Sequence, residues 1–562
     1  MRRTRIVIVG GLSAGPSAAA KARRTDENAE IIMFEKTSHV SYATCGIPYA
    51  LSGKIKTRDK LIVVQPELLE KRFGVELHLD EPVTDIDPEA RIVYTNKGAY
   101  EYDKLVFATG GQAVLPPIKN IESFESWAHA KTLEDFDRVM KSGVMDTANH
   151  FTILGAGLIG LETAENLVHA GKKVTVIELG NQVLANWDVK FAHLAKKVLE
   201  DNGIDVRLGV SVVEVDRTTN ELILSNGNRL FTDYLLVGIS IKPNTQMLVR
   251  KGARHLPNGA LLVNKHMETS IPDIYAAGDC AAINNMITGE HSWYPMGTHS
   301  NKGGRAAGAN AAGGNVTFEG GYGTAIMKIF DYAIARTGMG PKSLERAGIP
   351  FKSTLIIAGS TPGFFPDQKD LLLEIHYDPE TGVLLGAELF GEHGVDKRVD
   401  VLATALYARL TIDDLPRLDL AYAPPFSAAK DPVVVAGFVA GNSMRASYQE
   451  VSVVEAARAL NQSVSPASYT LLDVRNPTEI HKEGYIQHSI NIPLDELRLR
   501  INEIDLDRPT YVYCAKGLRG YMASLILLHH NCKKVYNVAG GFTAWKTIVG
   551  EVKQVEEVSP VS

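Results

Sequence analysis

Phe151-Thr152-Ile153-Leu154-Gly155-Ala156-Gly157-Leu158-Ile159-Gly160 is a short apolar run that ends in a Gly-x-Gly-x-x-Gly turn. The three glycines do different work: Gly155 permits the tight turn, Gly157 lets a phosphate approach the backbone, and Gly160 lets a following helix pack closely on the strand. A helical stretch comes next, then a second apolar run, Val174 to Ile177, that ends at Glu178. Strand, glycine turn, helix N-terminus and distal acid make a cradle for a pyrophosphate and a ribose. Glu178 accepts hydrogen bonds from both ribose hydroxyls and repels a 2′-phosphate. No arginine follows it closely, so NADH is favoured over NADPH.

A second such unit stands at the start of the chain. Arg5 to Val9 leads into Gly10-Gly11-Leu12-Ser13-Ala14-Gly15, an alanine-rich helical stretch, and a strand Ile31 to Phe34 that ends at Glu35-Lys36. Leu12 replaces the second glycine, so this loop alone does not separate a cradle from a plain strand-to-helix turn. Two units in one chain, the first at the extreme N-terminus, point to FAD first and a nicotinamide dinucleotide second. Two later strands return to the first unit. One, Leu105 to Ala108, ends at Thr109-Gly110; the other, Ile274 to Ala277, ends at Gly278-Asp279. Asp279 is placed to bond a ribityl hydroxyl, or to cap a helix.

The chain has 562 residues, 45% hydrophobic and 22% charged, enough for several cored domains. Net charge is -6, and no block of like charge invites nucleic acid or an anionic membrane. The partners expected are small molecules. The basic start and the apolar run from Ile6 resemble a signal peptide, but the run is too short and meets Gly10-Gly11. No run approaches the roughly 18 apolar residues of a membrane span. Four cysteines, at 45, 280, 514 and 532, form no CxxC pair. This argues against a disulfide framework or a zinc site, no metal is expected, and a reducing cytoplasm fits.

Cys45 sits in Ser41-Tyr42-Ala43-Thr44-Cys45-Gly46-Ile47-Pro48-Tyr49, and Ala50 occupies the place of a Cys-x4-Cys partner. With one thiol, the oxidised form must carry a foreign atom as a mixed disulfide, persulfide or sulfenic acid. Together with the two glycine loops, Asp279 and Ala421-Tyr422-Ala423-Pro424-Pro425-Phe426-Ser427, this motif resembles the coenzyme A disulfide reductases and NADH-dependent persulfide reductases. The resemblance covers roughly the first 445 residues. It implies that Lys21, Arg24, Ser41, Thr44, Asn301 and Arg305 line a coenzyme A site, with Arg24 and Arg305 suited to phosphates. It also implies a homodimer in which Tyr422 reaches the partner subunit's thiol. One departure is Gly363-Phe364-Phe365-Pro366, where the family carries a tyrosine, so Tyr422 alone would protonate the departing thiolate.

After Met444 the pattern changes. Leu471-Leu472-Asp473-Val474-Arg475 precedes a strand, Tyr511 to Tyr513, which delivers Cys514-Ala515-Lys516-Gly517-Leu518-Arg519 and a helix. A thiol between a strand and a helix N-terminus faces converging N–H groups, and Lys516 and Arg519 add positive charge. The order, with Gly540-Gly541-Phe542, resembles a rhodanese domain with a sulfur-carrying Cys514.

The expected fold is therefore α/β: an FAD-binding domain (1–115 and 245–320), an NAD-binding domain (116–244), an α+β dimerisation domain (321–445), a linker (446–460) and an α/β rhodanese domain (461–555). Cys45, Tyr422, Cys514 and Arg519 are the expected catalytic residues. The expected activity is NADH-dependent reduction of persulfide, polysulfide or coenzyme A persulfide, with coenzyme A disulfide as a second candidate substrate. Two rivals stand beside it. One is an NADH oxidase or peroxidase working through a Cys45 sulfenic acid; that branch carries a histidine in the first glycine loop, absent here. The other is a sulfurtransferase working through Cys514.

Overall fold

A computed structural model describes residues 3–445, 448–463, 465 and 468–554. The chain divides into two packed units, Met1–Ala185 with Leu199–Gly323, and Asn186–Val198 with Thr324–Ser562.

In the first unit, Arg5–Val9 lies between Glu30–Phe34 and Lys104–Phe107 in a five-stranded parallel sheet edged by Val75–His78 and Ile274–Ala276. Ile6, Val7 and Ile8 have no exposed surface. Unbroken apolar runs of this kind belong to parallel strands covered on both faces, each buried side chain contributing about 1.5–3 kcal/mol. A second parallel sheet repeats the plan, with His150–Leu154 between Lys173–Glu178 and Tyr234–Val237, and Asp205–Leu208 and Trp127–His129 at its edges. Helix Ala14–Thr25 packs against helix Gly297–Ala311 with backbones nearly touching. A Cβ added at Gly304 would lie 2.3 Å from the Ala14 carbonyl oxygen, and one at Gly308 2.1 Å from that of Ala18. Only glycine permits that approach.

The second unit holds a five-stranded antiparallel sheet in the order Ala325–Ile329, Tyr332–Gly338, Leu384–Gly391, Asp370–Tyr377, Lys352–Gly359, packed with helices Val395–Tyr407 and Pro432–Arg445. A second, parallel sheet runs Gln449–Val451, Val535–Val538, Thr510–Tyr513, Thr470–Asp473, Ile490–Asn491. Here the expected linker at 446–460 is corrected. Residues 446 and 447 lie outside the described residues, but Gln449–Val451 is an edge strand paired with Val535–Val538. Val453 starts a helix capped by Ser452, whose Oγ accepts from the Glu455 N–H at 3.2 Å. The polar Ser-x-x-Glu run is a capping box, not a spacer. Among the described residues no helix is long and apolar enough to cross a membrane.

Candidate active site

The two glycine turns have the same construction. Gly10 N–H donates to the Phe34 carbonyl and Gly155 N–H to the Ile177 carbonyl, each at 2.8 Å. Gly11 N–H donates to Glu35 Oε2 at 2.8 Å, and Ala156 N–H to Glu178 Oε2 at 2.9 Å. A Cβ at Gly15 would sit 1.9 Å from the Gly10 carbonyl oxygen, and one at Gly160 2.0 Å from that of Gly155. The first and third glycines are therefore demanded by the chain's own backbone. A Cβ at Gly157, by contrast, meets nothing within 4 Å, so the fold itself does not demand glycine at the middle position. Leu12 holds the corresponding place in the first turn, and the Gly11 bond to Glu35 gives that turn the same acid contact as the second.

Gly10, Glu35, Lys36 and Thr109 line a cavity of about 350 Å³. Thr109 Oγ1 donates to the Asn244 carbonyl at 2.7 Å, and Gly110 takes a left-handed φ of 62°. Ser13 and Ala14 open the first helix. Asp279 caps no helix: helix Gly297–Ala311 has Met296 at its N-cap. Burial raises the Asp279 carboxyl above its ordinary range, partly offset by the Lys131 charge and a hydrogen bond from Ser300. Glycine turns closed to any Cβ, helix N-termini beside them and an acid on each turn fit two dinucleotides.

Cys45 is exposed, within a short 3-10 turn, Thr44–Gly46, that continues into helix Ile47–Leu51. That helix has only five residues, too short to supply a strong dipole at the thiol. What the segment has is anchorage at both ends. Ser41 N–H donates to the Gly11 carbonyl at 2.9 Å, with Ser41 at a strained φ of 47°. Further on, Ser52 Oγ donates to Asn166 Oδ1 at 2.9 Å, and Tyr49 Oη lies 3.5 Å from Glu162 Oε1, both partners on helix Leu158–His169 behind the second glycine turn. The thiol is thus carried between the two cradles. Burial, then the neighbouring Glu165, raises Glu162 to about 7, and burial, then Glu162, raises Tyr49 to about 12. Sequence reading passed over Glu162 and Tyr49, although both stand inside the quoted motifs or next to them.

Lys21 and Arg24 stand on helix Ala14–Thr25, and Asn301 and Arg305 on its partner Gly297–Ala311; Arg24, Asn301 and Arg305 are exposed. Ser17 Oγ donates to Asn301 Oδ1 at 2.7 Å, tying the two faces together. Thr44 adjoins Cys45 and, like Ser41, is half-buried.

In the second unit, Tyr422 is 49% exposed, so it is not a core packing residue; Phe364 is 76% exposed. The Tyr422 segment is held by a buried cluster: Arg398 Nη2 donates to Ser427 Oγ at 3.0 Å, and Ser427 Oγ donates to Asp431 Oδ2 at 2.7 Å. Cys514 is buried, and the Gly517 N–H points at its Sγ from 3.1 Å. The two cations expected to serve this thiol have carboxylate partners of their own. Arg519 makes two 2.6 Å bonds to Glu479, and Lys516 Nζ bonds Asp370 Oδ1 at 2.7 Å. Their charge at Cys514 is correspondingly reduced.

Residues 4–310 match the pyridine nucleotide-disulphide oxidoreductase family, residues 324–433 its dimerisation domain, and residues 453–548 the rhodanese-like domain. The NAD(P)H coenzyme A polysulfide/persulfide reductase of Pyrococcus horikoshii is 33% identical over 437 residues, 77% of this chain and 97% of that protein. The reduced CoADR-RHD of Bacillus anthracis superposes with a TM-score of 0.93 at 34% identity, covering 98% of this chain and 99% of that one. The NAD-dependent persulfide reductase from A. fulgidus gives 0.88 at 32%, covering 96% and 100%. The chain belongs to the pyridine nucleotide-disulphide oxidoreductase family, extended by that family's dimerisation domain and a rhodanese-like domain.

Proposed function

We propose that this chain is an NADH-dependent reductase of sulfane sulfur, working on persulfide, polysulfide or coenzyme A persulfide, and on coenzyme A disulfide as a second substrate. The observation that carries this reading is the lone exposed Cys45, on a segment bonded at one end to the first glycine turn and at the other to the helix behind the second. The names of the similar proteins support it. FAD and a nicotinamide dinucleotide, when bound, supply two electrons to the thiol site. Gly10, Gly11, Ser13, Ala14 and Gly15 hold the first pyrophosphate, Glu35 and Lys36 its ribose end, and Thr109, Gly110 and Asp279 the ribityl side. Gly155, Gly157 and Gly160 hold the second, and Glu178 takes its ribose hydroxyls.

The Cys45 thiolate attacks the outer sulfur of a persulfide, forms a new S–S bond and expels the carrier as a thiolate. The partner subunit's Tyr422 gives that leaving group a proton, which requires a homodimer. Two electrons and one proton then cleave the Cys45 persulfide anion to hydrosulfide and the free thiolate. Lys21, Arg24, Ser41, Thr44, Asn301 and Arg305 bind the coenzyme A portion, with the arginines on its phosphates. Cys514, with Arg519 on its loop, carries sulfur from a donor, and fusion to the reductase raises its effective concentration toward millimolar. Four free thiols suit a reducing cytoplasm. Cys45→Ser should abolish polysulfide-dependent NADH oxidation while NADH still bleaches the flavin; persisting turnover refutes the reading.

A further inference from the structure

On the antiparallel sheet of the second unit, Glu374 stands directly opposite Glu388, and His376 is two residues further along the strand. Residues two apart share a face. Three metal-binding side chains therefore converge, and one ligand atom from each lies within 4.8 Å of the other two. Their relative exposures are 3%, 1% and 0% for Glu374, Glu388 and His376, so this is a polar knot in the middle of a core sheet.

Two atoms of that knot have no hydrogen-bond partner: Glu374 Oε2 and His376 Nε2. Each belongs to a side chain fixed at its other end. Glu374 Oε1 accepts from Lys190 Nζ at 2.9 Å, and His376 Nδ1 lies 2.8 Å from Ser353 Oγ. Glu388 accepts the Asp188 N–H, shared between its two oxygens at 3.1 Å each. With Nδ1–H donating to Ser353, the Nε2 lone pair stays free, the tautomer a metal-binding histidine uses. Orphaned polar atoms this deep are costly, and a cation shared between them removes the cost of both. Asp188 and Glu450 stand beside these ligands as further acidic groups, with Lys190 and Arg336 as the neighbouring cations. A cavity of about 790 Å³ is lined by Glu374, Lys190 and Glu450 and so reaches one of the three groups.

We propose that Glu374, His376 and Glu388 bind one divalent first-row transition-metal ion through a carboxylate oxygen of each glutamate and Nε2 of the histidine. Two carboxylates and one imidazole without thiolate suit Mn²⁺, Fe²⁺ or Zn²⁺ rather than a soft ion. Lys190 stays on Oε1 of Glu374, and Ser353 is a positioning residue that holds the imidazole. No motif spacing reveals the site, because the ligands come from two strands and meet only through the sheet register.

The test uses full-length holoenzyme stripped with EDTA, and Mn²⁺ as the probe, since it avoids the thiols at positions 45 and 514. Free Mn²⁺ read by electron paramagnetic resonance should show one ion bound per chain, with a rise in unfolding temperature. Glu374→Gln and His376→Gln should each weaken binding at least tenfold and remove the rise. If those variants fold poorly, Ser353→Ala, which leaves all three ligands in place, should still weaken binding about tenfold or more. Wild-type protein that binds no Mn²⁺ at millimolar concentration, or binds it as well as the variants do, overturns the proposal.

Discussion

Tyr49 Oη lies 3.5 Å from Glu162 Oε1, so the segment carrying Cys45 meets the helix of the second glycine cradle through a phenol and a carboxyl that burial pushes up to about 12 and about 7. Because the folded Glu162 carboxyl keeps its proton to higher pH than the ordinary 4.5, its contribution to stability is present below pH 4.5 and is lost as pH rises through 7. Glu162→Gln should therefore stabilise the holoenzyme relative to wild type at pH 8 but not at pH 4.5, by on the order of 2 kcal/mol. Urea unfolding at the two pH values measures this; parallel pH slopes for the two proteins would contradict it.

Glu178 binds the Ala156 N–H at 2.9 Å and the Gly180 N–H at 2.8 Å, which orients its carboxylate along the second cradle. Glu178→Ala should raise the KM for NADH about tenfold or more, the worth of hydrogen bonds to a charged group, and bring NADPH closer to NADH. Steady-state kinetics with both nucleotides decide; an unchanged preference would remove Glu178 as the discriminating group.

Cys514 lies in its own parallel sheet domain, under the Gly517 N–H. Cys514→Ser should eliminate thiosulfate-to-cyanide sulfur transfer and leave NADH-driven reduction of a small persulfide within about twofold. A matching loss of both activities would show instead that all sulfur reaches Cys45 through the rhodanese thiol.

Arg398 and Asp431 form an ion pair at 3.0 Å with side chains 1% and 4% exposed, bridged by Ser427. Breaking it as Asp431→Asn strands a buried guanidinium and should cost about 3–5 kcal/mol. Calorimetry reads the stability. Because Ser427 anchors the Tyr422 segment, persulfide turnover should fall with it while flavin reduction by NADH does not.

How much was legible in the sequence follows from how local each signal is. The strand-glycine-helix-acid pattern at Gly155 to Glu178 is a contiguous run, and even the imperfect loop at Gly10 keeps the two glycines that the backbone itself requires. The linker reading failed because a three-residue edge strand carries almost no periodicity of its own and exists only through pairing with Val535–Val538.

Sequence alone determined the number and kind of dinucleotide units, the lone thiol of the Cys45 motif and the rhodanese-like loop around Cys514, because glycine stereochemistry and thiol chemistry act within a few residues of chain. Tertiary structure alone decided that Glu162 meets Tyr49, that Lys516 and Arg519 pair with carboxylates beside Cys514, and that Glu374, His376 and Glu388 share one buried face. Those relations depend on desolvation and on contacts between strands and helices far apart in the chain, and neither quantity exists before the sheets have formed.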